Sequence, residues 1–332
     1  MTTVLVTGAT GFVGSALCRK LCDLDYDVIA FHRYSSTIDQ IEKLPLRRMI
    51  GDLLEDGALE NVFSQKPDIV IHLAAQHVSG RNASRLLDVN VGGTRRILQA
   101  SFNSSVKRVI FMSSALTMGT AEPAADFKSE PMPVTESHQW NNQLASWPFA
   151  RSKHLAEQEI QWASAYGLDV VTLNPMTITG AGDHYRKLTS LIARYQRTPP
   201  AYSIAGGINL IDVQDVVQGI VNAIQYGEKG KRYLLGGTNL SYSELFRILS
   251  EMTGAELPGM QLPSGLSNRL FDFKIKNLDF FSTGSDGTDL LQLAGKYLYF
   301  DGRNSRLALR LSPPRDIRQS IKETLEWFEQ NL

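Results

Sequence analysis

Three groups of residues in this chain have the types and spacing that chemistry requires. In "SWPFARSKHLAE" (146–157), Phe149 and Lys153 stand four residues apart with Ser152 between them. Side chains at that separation meet on a helix face. An ammonium so placed suits a neighbouring proton donor, whose acidity it would raise. The neighbouring position instead holds a phenyl ring, which has no proton to give. Ser114, closing the run "VKRVIFMSS" (106–114), offers a hydroxyl able to orient a substrate oxygen. The third group is "VTGATGFVGSAL", with Gly8, Gly11 and Gly14 between an apolar run and an amphipathic stretch. Gly8 permits a tight turn, and Gly11 lets the amides around Thr10, Phe12 and Val13 approach a pyrophosphate. Gly14 allows a helix to pack closely on its strand.

Such groups need a scaffold, and the N-terminal half supplies one. Short β-branched runs at 3–8, 27–33, 46–52, 68–75, 106–114 and 168–175 alternate with amphipathic helical stretches, and a further run follows at 231–237. This alternation predicts βαβ units and a mostly parallel sheet covered on both faces. The expected class is α/β, a Rossmann-type doubly wound parallel sheet of about seven strands with a smaller interleaved C-terminal lobe. Residues 1–175 form the dinucleotide domain, with 209–237 returning to it. Residues 176–208 and 238–316 form a substrate lobe, and 317–332 a final helix with a stripe at Ile317, Ile321, Leu325 and Phe328.

Composition narrows the function. The 332 residues carry 34 basic against 34 acidic side chains, a formal charge of zero. That balance removes the electrostatic case for a nucleic-acid partner. No run of about 18 apolar residues could span a bilayer, and no leader precedes the first strand, so a cytoplasmic location is expected. Cys18 and Cys22 sit four apart on the first helix and read as core residues, since a bridge at that spacing fits helix geometry poorly. The histidine spacings suggest no metal site. Trp140, Trp147 and Trp162 read as packing groups, and His154 as a surface residue.

The glycine loop is joined by "GDL" (51–53), "HLAA" (72–75), "NVGGT" (90–94), "FMSSA" (111–115), "SKHLAE" (152–157), "NPMTITGAGD" (174–183) and "NLIDVQDVVQGI" (209–220). In this order they resemble the extended short-chain dehydrogenase/reductase family over nearly the whole chain. The resemblance implies an enzyme in which a Tyr-x-x-x-Lys pair and a serine transfer a proton while hydride moves to or from a nicotinamide. Ser114 and Lys153 match the serine and lysine, with Ser113 beside the former. Asn90 matches a structural asparagine, and the tyrosine position is Phe149. The resemblance also implies Asp52 and Leu53 at the adenine, Ala74 and Ala75 along the pyrophosphate, and Pro175 to Ile178 at the carboxamide.

Cofactor choice follows from charge. His32 and Arg33 end the second strand where a carboxylate would bind ribose hydroxyls, so NADP(H) is favoured and NAD(H) is the alternative. Three readings of Phe149 stay open. The natural chain carries Tyr and this one a Tyr→Phe change; another group, among His138, Tyr185 and Tyr202, supplies the proton; or the protein is a redox-inactive dinucleotide scaffold.

The C-terminal lobe resembles the branch with dihydroflavonol reductases and hopanoid-associated epimerase-like proteins. Leu262, Leu266, Leu270, Phe271, Phe273, Phe280 and Phe281 suggest an apolar small-molecule substrate. Arg186, Lys187, Arg194, Arg197, Arg269 and Arg303 form no recognisable diphosphate set. The leading expectation is a ketone reductase or alcohol dehydrogenase, with sugar epimerase or dehydratase chemistry as the alternative. The resemblance further implies a homodimer through the helix after "DVNVGGT" and the helix carrying Lys153.

Overall fold

The structure, a computed structural model, describes residues 1–76, 83–121, 131–140, 144–184, 189–262 and 295–331. Its centre is a seven-stranded sheet built from β1 (Thr3–Thr7), β2 (Asp27–His32), β3 (Arg47–Ile50), β4 (Ile69–His72), β5 (Arg108–Met112), β6 (Val170–Pro175) and β10 (Arg232–Leu235). The order is β10-β6-β5-β4-β1-β2-β3 and every pairing is parallel. Strands β1, β4, β5 and β6 are continuous apolar runs because both faces are covered, and almost every residue in them is buried. Each fully buried Val, Ile or Leu contributes about 1.5–3 kcal/mol relative to an exposed one.

One face is closed by α1 (Phe12–Asp23) and α7 (Val213–Tyr226), whose Leu17, Leu21, Val216 and Ile220 join Val4, Val6 and Ile71 in one cluster. On the other face lie α2 (Ala58–Phe63), α4 (Thr94–Asn103) and α5 (Pro148–Ala165). Between α3 (Ala83–Leu87) and α4 the helix widens into a π-helical turn, Asp88–Gly93. Such turns insert an extra residue and often mark functional positions. Cys18 is fully buried and Cys22 half-buried, both as thiols.

The order of the strands reverses between β1 and β4, so the crevice beyond their C-terminal ends is the position where such sheets bind ligands. The second lobe is built on a small sheet in which β9 (Gly207–Asp212) pairs with β7 (Thr177–Thr179), β11 (Thr238–Ser241) and β13 (Tyr297–Leu298). A further pair joins β8 (Tyr202–Ile204) to β12 (Met260–Leu262). Part of the stretch 209–237 therefore lies in the small sheet, and it is α7 and β10 that pack on the large one.

Helix α8 (Tyr242–Thr253) starts with a reciprocal cap between Ser241 and Glu244 and stops at Gly254, φ +71°. It packs on α6 (Thr189–Arg197); α9 (Arg303–Ala308) and α10 (Ile317–Asn331) follow later in the chain. The stripe of α10 is buried as its spacing requires.

The region of α10 is pinned to residues from the middle of the chain. Arg315 bridges Asp212, the N-cap of α7, at 3.0 Å and Glu323 at 2.8 Å. Thr324 accepts the Gly180 amide at 2.9 Å. No helix among the described residues is long and apolar enough to cross a membrane.

Candidate active site

The glycine loop runs from the end of β1 into α1, and each glycine has a steric reason. Gly8 sits at φ +70°, and a Cβ there would lie 2.7 Å from the Ala74 amide nitrogen. A Cβ on Gly14 would meet the Gly8 carbonyl oxygen at 2.1 Å, which only glycine avoids. Gly11 caps α1 without a side-chain hydrogen bond, and the first turn carries no acidic residue. The helix N-terminus thus presents amides and a partial positive charge to the crevice. Thr10 is buried, Phe12 and Val13 are half-buried, and Phe12 faces Gly182 of the "GAGD" loop.

The end of β2 adds a second group suited to a ligand. The His32 Nδ1 lies 3.0 Å from the Arg33 carbonyl, which can only accept, so that nitrogen carries the hydrogen. The opposite nitrogen, Nε2, is buried without a partner in the protein, so a ribose or phosphate oxygen there would satisfy it. Arg33 is exposed and pairs with no carboxylate among the described residues. Asp52 turns its Oδ1 onto the Leu54 amide, and Leu53 is buried below Gly93. Ala74 donates its amide to Thr7 Oγ1 at 3.3 Å, and Ala75 is half-buried beside it. Pro175 is buried and Ile178 half-buried where β6 passes into β7. A buried orphan nitrogen, an uncapped helix end and a cradle that any Cβ would fill together fit a dinucleotide.

At the neighbouring strand ends, Lys153 and Ser114 come together. Lys153 is buried, donates to the Met112 carbonyl at 2.7 Å and lies 4.9 Å above the Phe111 ring. Its ammonium is thereby fixed two residues from Ser114. The Ser114 Oγ accepts from the Leu116 amide at 3.3 Å, heading a 3-10 turn (Ala115–Met118), which leaves its own proton available to a substrate oxygen. Phe149 is half-buried on the first turn of α5. Asn90, buried in the π-helical turn, donates to Ser152 Oγ and to the Gln76 carbonyl at 2.9 Å each, and accepts the Gln76 amide at 2.7 Å. Ser152 in turn donates to the Phe149 carbonyl at 2.8 Å.

Of the alternative proton sources, His138 is committed elsewhere. Its ring engages the Thr135 amide at 3.0 Å and its carbonyl holds Arg232 on the outermost strand. Tyr202 lies on β8, in the second lobe. Tyr185 lies outside the described residues, as do Arg186, Lys187, Arg269, Leu266, Leu270, Phe271, Phe273, Phe280 and Phe281. Arg303 is held by Asp301 at 2.6 Å.

Two side chains differ from their sequence reading. His154 is not a free surface group, because its ring stacks on Trp140 at 4.7 Å and partial burial lowers its pKa. Trp162 does not pack inside; it is 64% exposed and stacks on Tyr166.

Sequence reasoning passed over Glu157. Its carboxylate is buried one turn beyond Lys153, and one oxygen accepts the Ser113 hydroxyl, the Thr117 hydroxyl (2.9 Å) and the Asn174 amide (2.6 Å). Asn174 also donates to the Ser114 carbonyl at 3.1 Å. This cluster clamps the Ser114 turn between α5 and β6. The available signal was an acid in register with the buried face of α5, which needs partners to be there.

Comparison with known proteins agrees with this geometry. The profile of the NAD dependent epimerase/dehydratase family matches residues 4–236. A protein of Synechocystis sp. described as a candidate dihydroflavonol 4-reductase is 32% identical, over 98% of this chain and 94% of its own. Sterol demethylase protein B of Methylococcus capsulatus is 27% identical, over 99% and 98%. Among solved structures, gox2253 superposes with a TM-score of 0.83 at 25% identity, covering 100% of this chain and 99% of its own. With its cradle, its parallel sheet and its Ser114–Lys153 pair, the chain belongs to the NAD dependent epimerase/dehydratase family, enzymes of the extended short-chain dehydrogenase/reductase type.

Proposed function

We propose that this protein is an NADP(H)-using oxidoreductase acting on a carbonyl or alcohol of a small, rather apolar substrate. The observation that carries this reading is the anchoring of Lys153 on the Met112 carbonyl, two residues before Ser114, on the sheet whose β1 leads into the glycine loop. The bound nicotinamide would supply or accept hydride. The α1 amides would hold its pyrophosphate, and Lys153 would bind its ribose through its ammonium. Ser114 would donate to the substrate oxygen. Phe149 fills the space of a tyrosine without its hydroxyl, so proton transfer has no positioned acid there and turnover is slow.

An apolar substrate is supported by the two relatives just described, whose names refer to a flavonol and a sterol. Calorimetry with NADPH and NADH, followed by NADPH consumption on a panel of apolar ketones, tests the reading. Uptake of neither dinucleotide by folded protein would end it. Binding without turnover in either this chain or its Phe149→Tyr variant would point to a scaffold.

The choice of NADP(H) rests on His32 and Arg33. Substituting Arg33→Ala is expected to weaken NADP(H) about tenfold, the worth of one charge-assisted contact, and to leave NAD(H) within twofold. Titration by protein fluorescence reads both constants, and equal losses would refute an Arg33 contact with the 2′-phosphate.

A homodimer through α4 and α5 is part of the same proposal. These helices pack side by side, tied by Arg95 and Glu159 at 2.6 Å. They leave Phe102 55% and Trp162 64% exposed. Exposed aromatics of this size are characteristic of interfaces. Sedimentation velocity should give a dimer for this chain and a monomer for Trp162→Glu; a monomer for both removes the proposal.

A further inference from the structure

The buried imidazole of His72 is not used by the chemistry above, yet its surroundings fix every proton around it. Thr94 Oγ1 lies 2.7 Å from the Asn90 carbonyl, which can only accept, so the Thr94 hydroxyl spends its one proton there. Thr94 Oγ1 must then accept from His72 Nε2, 3.1 Å away, and that nitrogen carries the ring hydrogen. Burial, and secondarily the charge of Lys153, push the His72 pKa down to about 3, so the ring is neutral and Nδ1 is a bare acceptor. It receives the Thr7 hydroxyl at 2.7 Å, and Thr7 Oγ1 in turn accepts the Ala74 amide at 3.3 Å. The bonds therefore point one way, from the Ala74 amide through Thr7, His72 and Thr94 to the Asn90 backbone. The Asn90 side chain continues the connection through Ser152 to the Phe149 carbonyl.

This run joins the two halves of the site. Thr7 precedes Gly8, whose turn is packed on Ala74. Phe149 and Ser152 open the helix that carries Lys153. In the π-helical turn the Thr94 hydroxyl closes onto the Asn90 carbonyl, while the Asn90 side chain ties the turn to Gln76 and Ser152.

We propose that His72 is a positioning residue, locked as the Nε2–H tautomer, that holds the Asn90 turn in register with the glycine loop so that Lys153 and the dinucleotide cradle form one preorganised unit. The proposal rests on the dinucleotide reading for its consequence but not for its geometry. Its natural variant is Thr94→Val, which keeps the shape and removes the hydroxyl; Thr94→Ser restores it.

In the chain as it stands, Thr94→Val should weaken dinucleotide binding about tenfold and speed hydrogen exchange of the 149–153 amides about tenfold, while the amides of α7 are unchanged. Thr94→Ser should return both to within twofold. Nitrogen-15 spectra of the histidines should show Nε2 of His72 protonated and Nδ1 bare in this chain. The proposal is overturned if Thr94→Val lowers thermal stability but leaves exchange at 149–153 at the original rate, or if the ring is the Nδ1–H tautomer. A chain that binds no dinucleotide yet shows the exchange and tautomer results would sink the functional reading and leave the positioning role intact.

Discussion

Replacing Phe149 with Tyr is expected to raise turnover of an apolar ketone by about 10²- to 10⁴-fold, the usual contribution of a positioned general acid. Everything else that such an acid needs is already in place. Phe149 occupies the first turn of α5, its carbonyl is held by Ser152, and Lys153 stands one turn on, anchored to Met112. A hydroxyl at that ring position adds little volume to a side chain that is only half-buried. The ammonium would favour the phenolate and lower the phenol pKa from its usual value of about 10. Ketone reduction consumes the protonated phenol, so the variant should lose rate as pH rises through that lowered pKa. The parent chain should lack this limb. Stopped-flow NADPH oxidation between mildly acidic and alkaline pH measures both effects. A Phe149→Tyr variant that binds dinucleotide but gains no rate would mean that Ser114 and Lys153 do not serve hydride transfer.

The second large effect is on the cradle. Gly14→Ala should abolish dinucleotide binding, raising the dissociation constant by about 100-fold or more, because the new Cβ would lie 2.1 Å from the Gly8 carbonyl oxygen. The Gly8 oxygen is backbone and the Cβ position is fixed by the backbone, so no side chain can turn aside. Either α1 slides outward, taking its first-turn amides from the pyrophosphate, or the Gly8 turn opens against Ala74. Overpacking of this kind also destabilises by about 1–3 kcal/mol. Gly259→Ala is the control, since nothing lies within 4 Å of the Cβ position there. Fluorescence titration and thermal melts on both variants separate the losses. Retained binding in Gly14→Ala would show that the loop is not the pyrophosphate site.

The interior of the large sheet was readable in the sequence because parallel strands buried on both faces appear as unbroken apolar runs; edge strand β3, RRMI, is mostly exposed. All seven expected runs overlap strands of the observed sheet. The glycine loop was readable for a different reason, since it is a backbone requirement that only one residue type meets. What escaped was set by tertiary contact. Glu157 looks like any helix glutamate until Ser113, Thr117 and Asn174 are seen converging on it from β5 and β6. Asn174, buried on β6, donates to both Glu157 and the Ser114 carbonyl. The strands β7, β8, β12 and β13 are two or three residues long, too short for periodicity to register. The exposure of Trp162 is equally invisible to composition, because an aromatic ring serves a core or an interface alike.

The bridges from Arg315 to Asp212 and from Thr324 to Gly180 carry an implication for the order of folding. The second of them joins residues 144 positions apart. Contacts of such separation lose chain entropy before they are rewarded, whereas each βα unit of the large sheet closes locally. The sheet and its glycine turn are therefore expected to form first, with Asp212 and the "GAGD" turn clasped in a later step.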